Sequence, residues 1–322
     1  MSKRPLLLKS PVVVITGASS GIGRATAYEL ARQGARLVLA ARHAEALDEV
    51  AAECRDIGGI ASPLATDVTD PTAVRALAEH AIKRFGQIDV WINNVGVGAV
   101  GRFETTPLEA HRRVIESNLV GHINGSHVAL SHFRQRHRGT LINMISLGGW
   151  FAAPYAAAYT ASKFGLRGLG QSLRAELADE PDIHVCDVYP AFVDTPGVTE
   201  HGANYTGHRL KPFPPLLKPE TVAKRVASLL QRPRATLPVG SMAHFARYTQ
   251  NAAPELRTRR MKRMLDRAIS RGPDVPRDDG NLFEVSRTHA IRGTHRRPVA
   301  RALMGAGAAG LVGLALYSLA RR

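Results

Sequence analysis

Tyr159 and Lys163 are the residues whose types and spacing most directly suggest chemistry. Residues four apart lie on one face of an α-helix, so the phenol and the ammonium would be neighbours. An ammonium beside a phenol lowers the pKa of the hydroxyl, which would let Tyr159 donate or accept a proton near neutral pH. Ser146 lies at the end of a predicted strand, where α/β sheets bind ligands. Together the three residues predict acid–base catalysis on a bound substrate.

A glycine-rich loop supports that prediction, because a Tyr-x-x-x-Lys spacing alone is common by chance. Residues 16–23 read Thr-Gly-Ala-Ser-Ser-Gly-Ile-Gly and lie between an apolar strand at 11–15 and a helix at 24–33. Glycines let the backbone approach a pyrophosphate at the N-terminus of a helix, where free N–H groups favour an anion. The strand and the helix provide the context that a dinucleotide site requires.

The end of the second predicted strand, residues 36–41, indicates which dinucleotide is bound. An acidic residue there would bind the 2′-hydroxyl of NAD, but this chain has Ala41 followed by Arg42. A guanidinium can bind a 2′-phosphate, and no carboxylate is present to repel that phosphate. We therefore expect NADP(H). The alternative is that Arg42 is solvated and the protein binds both dinucleotides.

Strands and helices alternate along the first 240 residues. The predicted strands are 11–15, 36–41, 60–66, 90–93, 140–145, 184–189 and 235–239; the predicted helices are 24–33, 72–84, 107–133, 159–177 and 219–230. This alternation predicts a Rossmann-type α/β fold, a doubly wound parallel sheet in a three-layer α/β/α arrangement. Residues 194–219 are rich in proline and glycine and predict a long loop.

A basic helical C-terminal extension is predicted to follow that domain. Residues 241–270 read as two basic amphipathic helices broken at Pro254, and residues 271–300 as an irregular linker. Residues 301–322 form an apolar segment, in which residues 302–320 carry no charge. Nineteen residues make about 28 Å of helix, enough to cross the hydrocarbon core of a bilayer. We predict a membrane anchor; the alternatives are a helix packed on protein and a disordered tail.

Composition and charge exclude several classes of protein. The chain has 322 residues, of which 44% are hydrophobic and 22% charged, so it can form a substantial core. Two cysteines exclude a disulfide scaffold, and the thirteen histidines show no metal-ligand spacing, so we predict no metal site. Residues 231–322 carry 18 basic against 6 acidic residues. Such a segment suits anionic lipid better than nucleic acid, because it lacks interleaved aromatic residues.

The motifs resemble those of the short-chain dehydrogenase/reductase family. The matching residues span about 1–240 and are Thr16-Gly17-x-x-x-Gly21-Ile22-Gly23, Asp67-Val68, Asn93-Asn94-Val95-Gly96, Asn118, Ser146 and Tyr159-x-x-x-Lys163. Two positions depart from the family pattern: Val95 replaces an alanine, and Ala191 replaces the glycine that usually follows Pro190. Both changes are conservative in volume.

The resemblance implies a role for each position. Tyr159 would be the general acid/base, Ser146 would hydrogen-bond the carbonyl or hydroxyl, and Lys163 would bind the nicotinamide ribose. Asn118 would hold a water molecule in a proton relay to Lys163. The other expected cofactor contacts are Ser19 and Ser20 in the loop, Asp67 and Val68 at the adenine, Asn94 at the adenosine ribose, Val193 and Thr195 at the carboxamide, and Gly96.

The predicted protein is an NADP(H)-dependent oxidoreductase that acts on a carbonyl/hydroxyl pair. Family geometry would place many of six aromatic residues around an apolar substrate, which is expected to be lipid-, sterol- or retinoid-like. The six are Trp150, Phe151, Tyr155, Phe192, Tyr205 and Phe213, and the alternative for each is packing in the core or in a lid. The alternatives are a catalytically silent NADP(H) sensor and an epimerase or dehydratase on the same fold. We expect a homo-oligomer, by analogy with the family. The apolar tail predicts membrane association with the catalytic domain in the cytoplasm, and without it the protein would be cytoplasmic.

Overall fold

The computed structural model describes residues 10–199, 202–211, 215–251, 254–285 and 288–293. A seven-stranded parallel sheet runs through it. The strands of this sheet are β1 (Val12–Thr16), β2 (Arg36–Ala41), β3 (Ile60–Ala65), β4 (Val90–Asn93), β6 (Gly139–Met144), β7 (Ile183–Pro190) and β9 (Thr236–Val239). Their order across the sheet is β3-β2-β1-β4-β6-β7-β9. The two-residue strands β5 (Ala99–Val100) and β8 (Ala203–Asn204) pair separately.

Helices cover both faces of the sheet. They are α1 (Gly21–Arg32), α2 (Ala44–Asp56), α3 (Pro71–Phe85), α4 (Leu108–Ile115), α5 (Gly121–Arg136), α6 (Ala157–Glu176), α7 (Pro196–Thr199) and α8 (Pro219–Gln231). Apolar residues of α1, α2 and α8 join one buried cluster against the sheet, and those of α3, α5 and α6 join another. The predicted three-layer Rossmann-type fold is therefore confirmed.

Alternating side chains of the strands explain the two layers. Val13 and Ile15 of β1 pack into the cluster formed with α1, whereas Val14 packs into the cluster on the opposite face. Successive residues of a strand point to opposite faces, and a parallel sheet buries both. This burial explains why the first strand is apolar at every position up to Thr16.

Two helix predictions were wrong or incomplete. The single helix predicted over 107–133 is instead α4 and α5, joined by a π-helical turn at Glu116–Val120. A π turn holds one extra residue, which rotates the side chains that follow it and often marks a functional site. The sequence analysis also missed α2, although Leu47, Val50 and Cys54 are spaced for one buried helical face.

The C-terminal extension contains two helices, α9 (Ser241–Thr249) and α10 (Pro254–Ser270), in agreement with the predicted break at Pro254. The chain then turns back beside β8, with isolated bridges from Asn204 to Asp278 and from His208 to Asp274. No helix within the described part of the chain has the length and apolar character needed to cross a bilayer. The predicted anchor at 302–320 lies outside the described residues.

Candidate active site

The glycine loop connects β1 to α1 and forms a close-fitting cradle. Gly17 and Gly21 adopt φ angles of 65° and 53°, in the left-handed region that favours glycine. A Cβ on Gly23 would lie 2.0 Å from the carbonyl oxygen of Gly17, so the first turn of α1 can approach the loop only with glycine there. The cradle thus surrounds the N-terminus of α1, a type of position that suits an anion.

Asn94 ties this loop to the end of β4. Its side-chain amide donates to the carbonyl oxygens of Thr16 at 3.2 Å and of Gly17 at 3.1 Å. Its backbone N–H donates to the hydroxyl of Thr16 at 3.0 Å. Thr16 and Asn94 therefore maintain the shape of the loop from beneath, a role that the predicted ribose contact of Asn94 did not include.

Ser146, Tyr159 and Lys163 are brought together at the carboxyl end of the sheet. Ser146 follows β6, and its hydroxyl is hydrogen-bonded to the phenol of Tyr159. Lys163 lies one turn after Tyr159 in α6, with its Nζ 5.6 Å from the centre of the phenol ring. The same Nζ donates to the carbonyl oxygen of Met144 at 3.1 Å. The predicted spacing thus places an acid–base group beside a hydroxyl and an amine.

The protonation of this pair differs from the expectation. Burial raises the pKa of Tyr159, and the hydrogen bond from Ser146 lowers it only in part. Burial also lowers the pKa of Lys163 to about 7. The net lowering of the phenol pKa that was expected is not found, because burial is the largest influence on both groups and favours the neutral phenol and the neutral amine.

Asn118 lies in the π turn between α4 and α5. Its Oδ1 accepts from the backbone N–H of Val97 at 2.8 Å, and its Nδ2 donates to the carbonyl of Val97 at 2.9 Å. Nδ2 also donates to the hydroxyl of Ser162 at 3.1 Å, and that hydroxyl donates to the carbonyl of Tyr159 at 2.7 Å. Asn118 therefore links the π turn to the helix that carries Tyr159.

The far end of the cleft is polar and charged. The carboxylate of Asp67 accepts from Thr69 and from Arg113, whose Nη2 lies 3.1 Å away. Burial alone would raise the pKa of Asp67, but these hydrogen bonds outweigh it and hold the pKa below its ordinary value. Val68 is buried beside Asp67. Arg113 was not predicted, because nothing in its local sequence marks it as part of a cleft.

The remaining predicted cofactor residues, with the exception of Val193, line the same cleft. Its lining includes Ser19, Ser20, Gly21, Ile22, Arg42, Gly96 and Thr195, together with Asn281, Val285 and His289 from the C-terminal extension. Val193 is buried at a bridge to Leu217, and its carbonyl accepts from the backbone N–H of Thr195 at 2.9 Å. The contribution of the extension to the lining had no counterpart in the sequence analysis.

Comparison with known proteins explains this arrangement. The family model described as short chain dehydrogenase matches residues 11–206. The chain belongs to the short-chain dehydrogenase family. It is 33% identical over 293 residues to the uncharacterized oxidoreductase YxnA of Bacillus subtilis. The alignment covers 90% of this chain and 82% of YxnA.

Two further relatives agree with this assignment. Human dehydrogenase/reductase SDR family member 7 is 35% identical over 58% of this chain and 57% of its own. An alcohol dehydrogenase from Thermococcus sibiricus, solved in complex with 5-hydroxy-NADP, superposes with a TM-score of 0.62 and 29% identity. The superposition covers 72% of this chain and 96% of that one. The short-chain dehydrogenase assignment therefore rests on both sequence and fold.

The cleft of this short-chain dehydrogenase fits a nicotinamide dinucleotide. A Cβ on Gly96 would lie 3.7 Å from Nζ of Lys163, so the backbone at Gly96 runs close to the amine. The loop with Gly17 and Gly21 suits a pyrophosphate, and Thr195 borders the loop beside Gly21. The donors and close backbone approaches lie along one continuous cleft, as a dinucleotide requires.

The aromatic residues that were expected around the substrate lie in different environments. Trp150 is 4% exposed and stacks on Tyr189, with ring centres 4.0 Å apart, so it belongs to the core. Tyr155 instead bonds through its hydroxyl to Asp266 of α10. Tyr205 is buried and bonds to Asp279 at 2.5 Å. The last of the six, Phe213, lies outside the described residues.

His122 is a supporting residue, although the sequence analysis considered the histidines only as possible metal ligands. It is 1% exposed, and its Nε2 is bonded to the carbonyl of Val95 at 2.9 Å. Burial first, and the nearby Lys163 second, lower the pKa of His122 to about 3, so the ring is neutral. Neutral His122 therefore holds the loop after β4 without adding a charge beside Lys163.

The lowered pKa of Lys163 makes stability depend on pH. Between about 7 and 10.5 the unfolded chain binds more protons at this residue than the folded one, so the free energy of unfolding rises with pH. The free energy of unfolding of the wild type, measured relative to that of Lys163→Met, should rise by about 2–3 kcal/mol between pH 7 and pH 9. Urea unfolding at several pH values measures this difference. Lys224→Met, at an exposed position of α8, is the control, and a difference that does not change with pH would contradict the prediction.

Proposed function

We propose that this short-chain dehydrogenase is an NADP(H)-dependent oxidoreductase that interconverts a carbonyl and an alcohol. One observation carries the proposal: Ser146, Tyr159 and Lys163 converge beside Gly96, which lines a cleft that presents Arg42 and no acidic residue directly after β2. The nicotinamide, when bound, supplies or accepts a hydride. The rest of the chemistry is proton transfer and orientation, for which the protein provides the groups.

Each catalytic residue has a defined task in carbonyl reduction. The carbonyl oxygen would accept hydrogen bonds from the hydroxyls of Ser146 and Tyr159, which polarise the carbonyl bond. As the carbon gains the hydride, the oxygen gains negative charge and takes the proton of Tyr159. Lys163 stabilises the phenolate that remains, and Asn118 connects this centre to the π turn. Alcohol oxidation uses the same steps in reverse.

Cofactor preference depends on Arg42. A charge-assisted contact to a 2′-phosphate contributes about 1.5–3 kcal/mol, which corresponds to about 10–150-fold in affinity. Arg42→Ala should therefore weaken NADPH binding by about that factor and leave NADH binding within about threefold. Isothermal titration with both dinucleotides measures this, with Arg75→Ala at an exposed position of α3 as the control. Equal losses for the two dinucleotides would contradict the proposed preference.

The proposed substrate is apolar. Val97, Ala99 and Ala158 form a buried apolar cluster against which Tyr159 packs, so this side of the phenol is apolar. Turnover of ketones and aldehydes of graded apolar size should rise with size and require NADPH. Tight NADPH binding without turnover of any of these compounds would favour a sensor instead.

We also propose that the enzyme acts at a membrane with its catalytic domain in the cytoplasm. The uncharged stretch at 302–320 and the basic residues before it, Arg296, Arg297 and Arg301, support this. Flotation of the full chain with lipid vesicles should require an apolar stretch, so Leu314→Asp with Leu316→Asp should abolish flotation.

Assembly into a homo-oligomer is proposed by analogy with the family.

A further inference from the structure

The C-terminal extension passes through the cofactor cleft. We call residues 279–285 and 288–293 the strap; residues 279–285 are its first part and residues 288–293 its last part. Its first part follows the bridge between Asn204 and Asp278 and is held by the Tyr205–Asp279 hydrogen bond and by Leu282, whose side chain is 0% exposed. Its last part is held by Arg292, which contacts Glu220 of α8 at 2.8 Å. The strap is therefore anchored at both of its ends.

The first part of the strap is hydrogen-bonded to the guanidinium of Arg42. The guanidinium of Arg42 donates to the carbonyl oxygens of Asn281 at 2.8 Å, Leu282 at 3.4 Å and Glu284 at 2.9 Å. The carbonyl of Leu282 also accepts from Nε of Arg113 at 3.0 Å. Neutral carbonyl oxygens thus take the donors that a 2′-phosphate would use.

The last part of the strap occupies the anion site at α1. The backbone N–H of Gly21 donates to the carbonyl of Ala290 at 3.0 Å. Arg24, in the first turn of the same helix, donates from Nη1 to the carbonyl of His289 at 2.8 Å. These groups lie where a pyrophosphate binds at a helix N-terminus. The two parts of the strap therefore occupy two different phosphate positions of one dinucleotide.

We propose that the strap determines cofactor selectivity by competing separately for these two positions, an inference that rests on the proposed function. NAD(H) and NADP(H) both displace the last part of the strap, because both carry a pyrophosphate. Only NADP(H) must also displace the first part, because only its 2′-phosphate needs Arg42. Leu282, which holds the first part, is thus a selectivity-determining residue that contacts neither dinucleotide, and it reduces the preference for NADP(H).

Two variants loosen the two parts independently. Leu282→Ala weakens the buried anchor and raises the fraction of molecules with Arg42 exposed, so the Kd for NADPH should fall at least fivefold and the Kd for NADH less than twofold. Glu220→Gln weakens only the exposed ion pair at the other end, so both Kd values should fall by about the same factor, roughly twofold. Glu255→Gln, which removes the exposed pair with Arg259 in α10, should change neither.

Hydrogen exchange of the unmodified chain tests the same inference without a core substitution. The amide of Leu282 bonds to the carbonyl of Asp279, and the amide of Gly293 to that of Asp194, so each reports one part of the strap. NADPH should accelerate exchange at both amides, and NADH only at Gly293. Slower exchange at both amides with NADPH, together with weaker NADPH binding in Leu282→Ala, would instead show that the strap closes over the cofactor.

Other results also overturn the inference. Equal changes for NADPH and NADH in Leu282→Ala, or no change at all, would show that the strap does not affect selectivity, while the proposed function would stand. Failure of the wild type and of Glu255→Gln to bind either dinucleotide would overturn the proposed function as well. Titration of the four proteins with both dinucleotides separates these cases.

Discussion

Tyr159→Phe should lower kcat by about 10²–10⁴-fold while NADPH binds with unchanged affinity. The substitution removes the proton that the proposed mechanism transfers to the substrate oxygen, and it leaves Ser146 and Lys163 in place. Burial already raises the pKa of the phenol, so the proton is present throughout the neutral range. Steady-state oxidation of NADPH and a separate binding titration measure the two quantities.

Tyr248→Phe is the matched control, because it removes the same single oxygen from a tyrosine that is 78% exposed on α9. Its kcat should equal that of the wild type. Turnover by Tyr159→Phe within tenfold of the wild type would contradict the assigned role. A loss of NADPH affinity in the same variant would show that the phenol holds the cofactor rather than serving as the acid.

Arg174→Met should lower the free energy of unfolding by about 3–5 kcal/mol at pH 8. Arg174 donates to Asp187 at 2.7 Å, and Asp187 is 0% exposed in β7, between β6 and β9. Removal of the guanidinium would leave a buried carboxylate with the amide of Asn143, at 3.3 Å, as its remaining side-chain donor. Urea unfolding measures the loss.

The pH dependence of this loss identifies its cause. Burial raises the pKa of Asp187 even beside Arg174, and without Arg174 the pKa would rise further. The variant should then be less destabilised at pH 5 than at pH 8, because the neutral acid is tolerated in the core. Arg174→Met combined with Asp187→Asn should restore most of the stability. Arg134→Met, at a half-exposed position 3.9 Å from Glu180, is the control, and a loss there as large as in Arg174→Met would refute the explanation.

The strands were predictable because strands that are buried on both faces consist mainly of apolar residues. The strand β2 was predicted at its exact bounds, and β1 within one residue, since apolar runs buried on both faces end abruptly at polar or glycine residues. The π turn at Glu116–Val120 was not predictable in the same way. It depends on the bonds of Asn118 to the backbone of Val97, which lies in a distant loop.

The proximity of the residues proposed as catalytic was predictable from spacing, whereas their electrostatics and surroundings were not. Tyr159 and Lys163 share a helix face whatever the rest of the fold is, but their pKa values depend on burial by residues far away in the chain. The strap is a different case. It binds Arg42 and Gly21 through backbone carbonyls, which every residue type supplies, so the residue types of the strap do not reveal these contacts.

The order of the strands has a consequence for how the protein is made. Synthesis begins with β1, and each later strand of the large sheet joins an edge whose outermost strand is already complete: β2 and β3 on one side, then β4, β6, β7 and β9 on the other. The sheet can therefore assemble as the chain leaves the ribosome, without waiting for its end. The strap is synthesised after all of these strands. A nascent chain would thus expose its dinucleotide cleft before it acquires the segment that competes for it, and a cofactor present during translation would meet the cleft first.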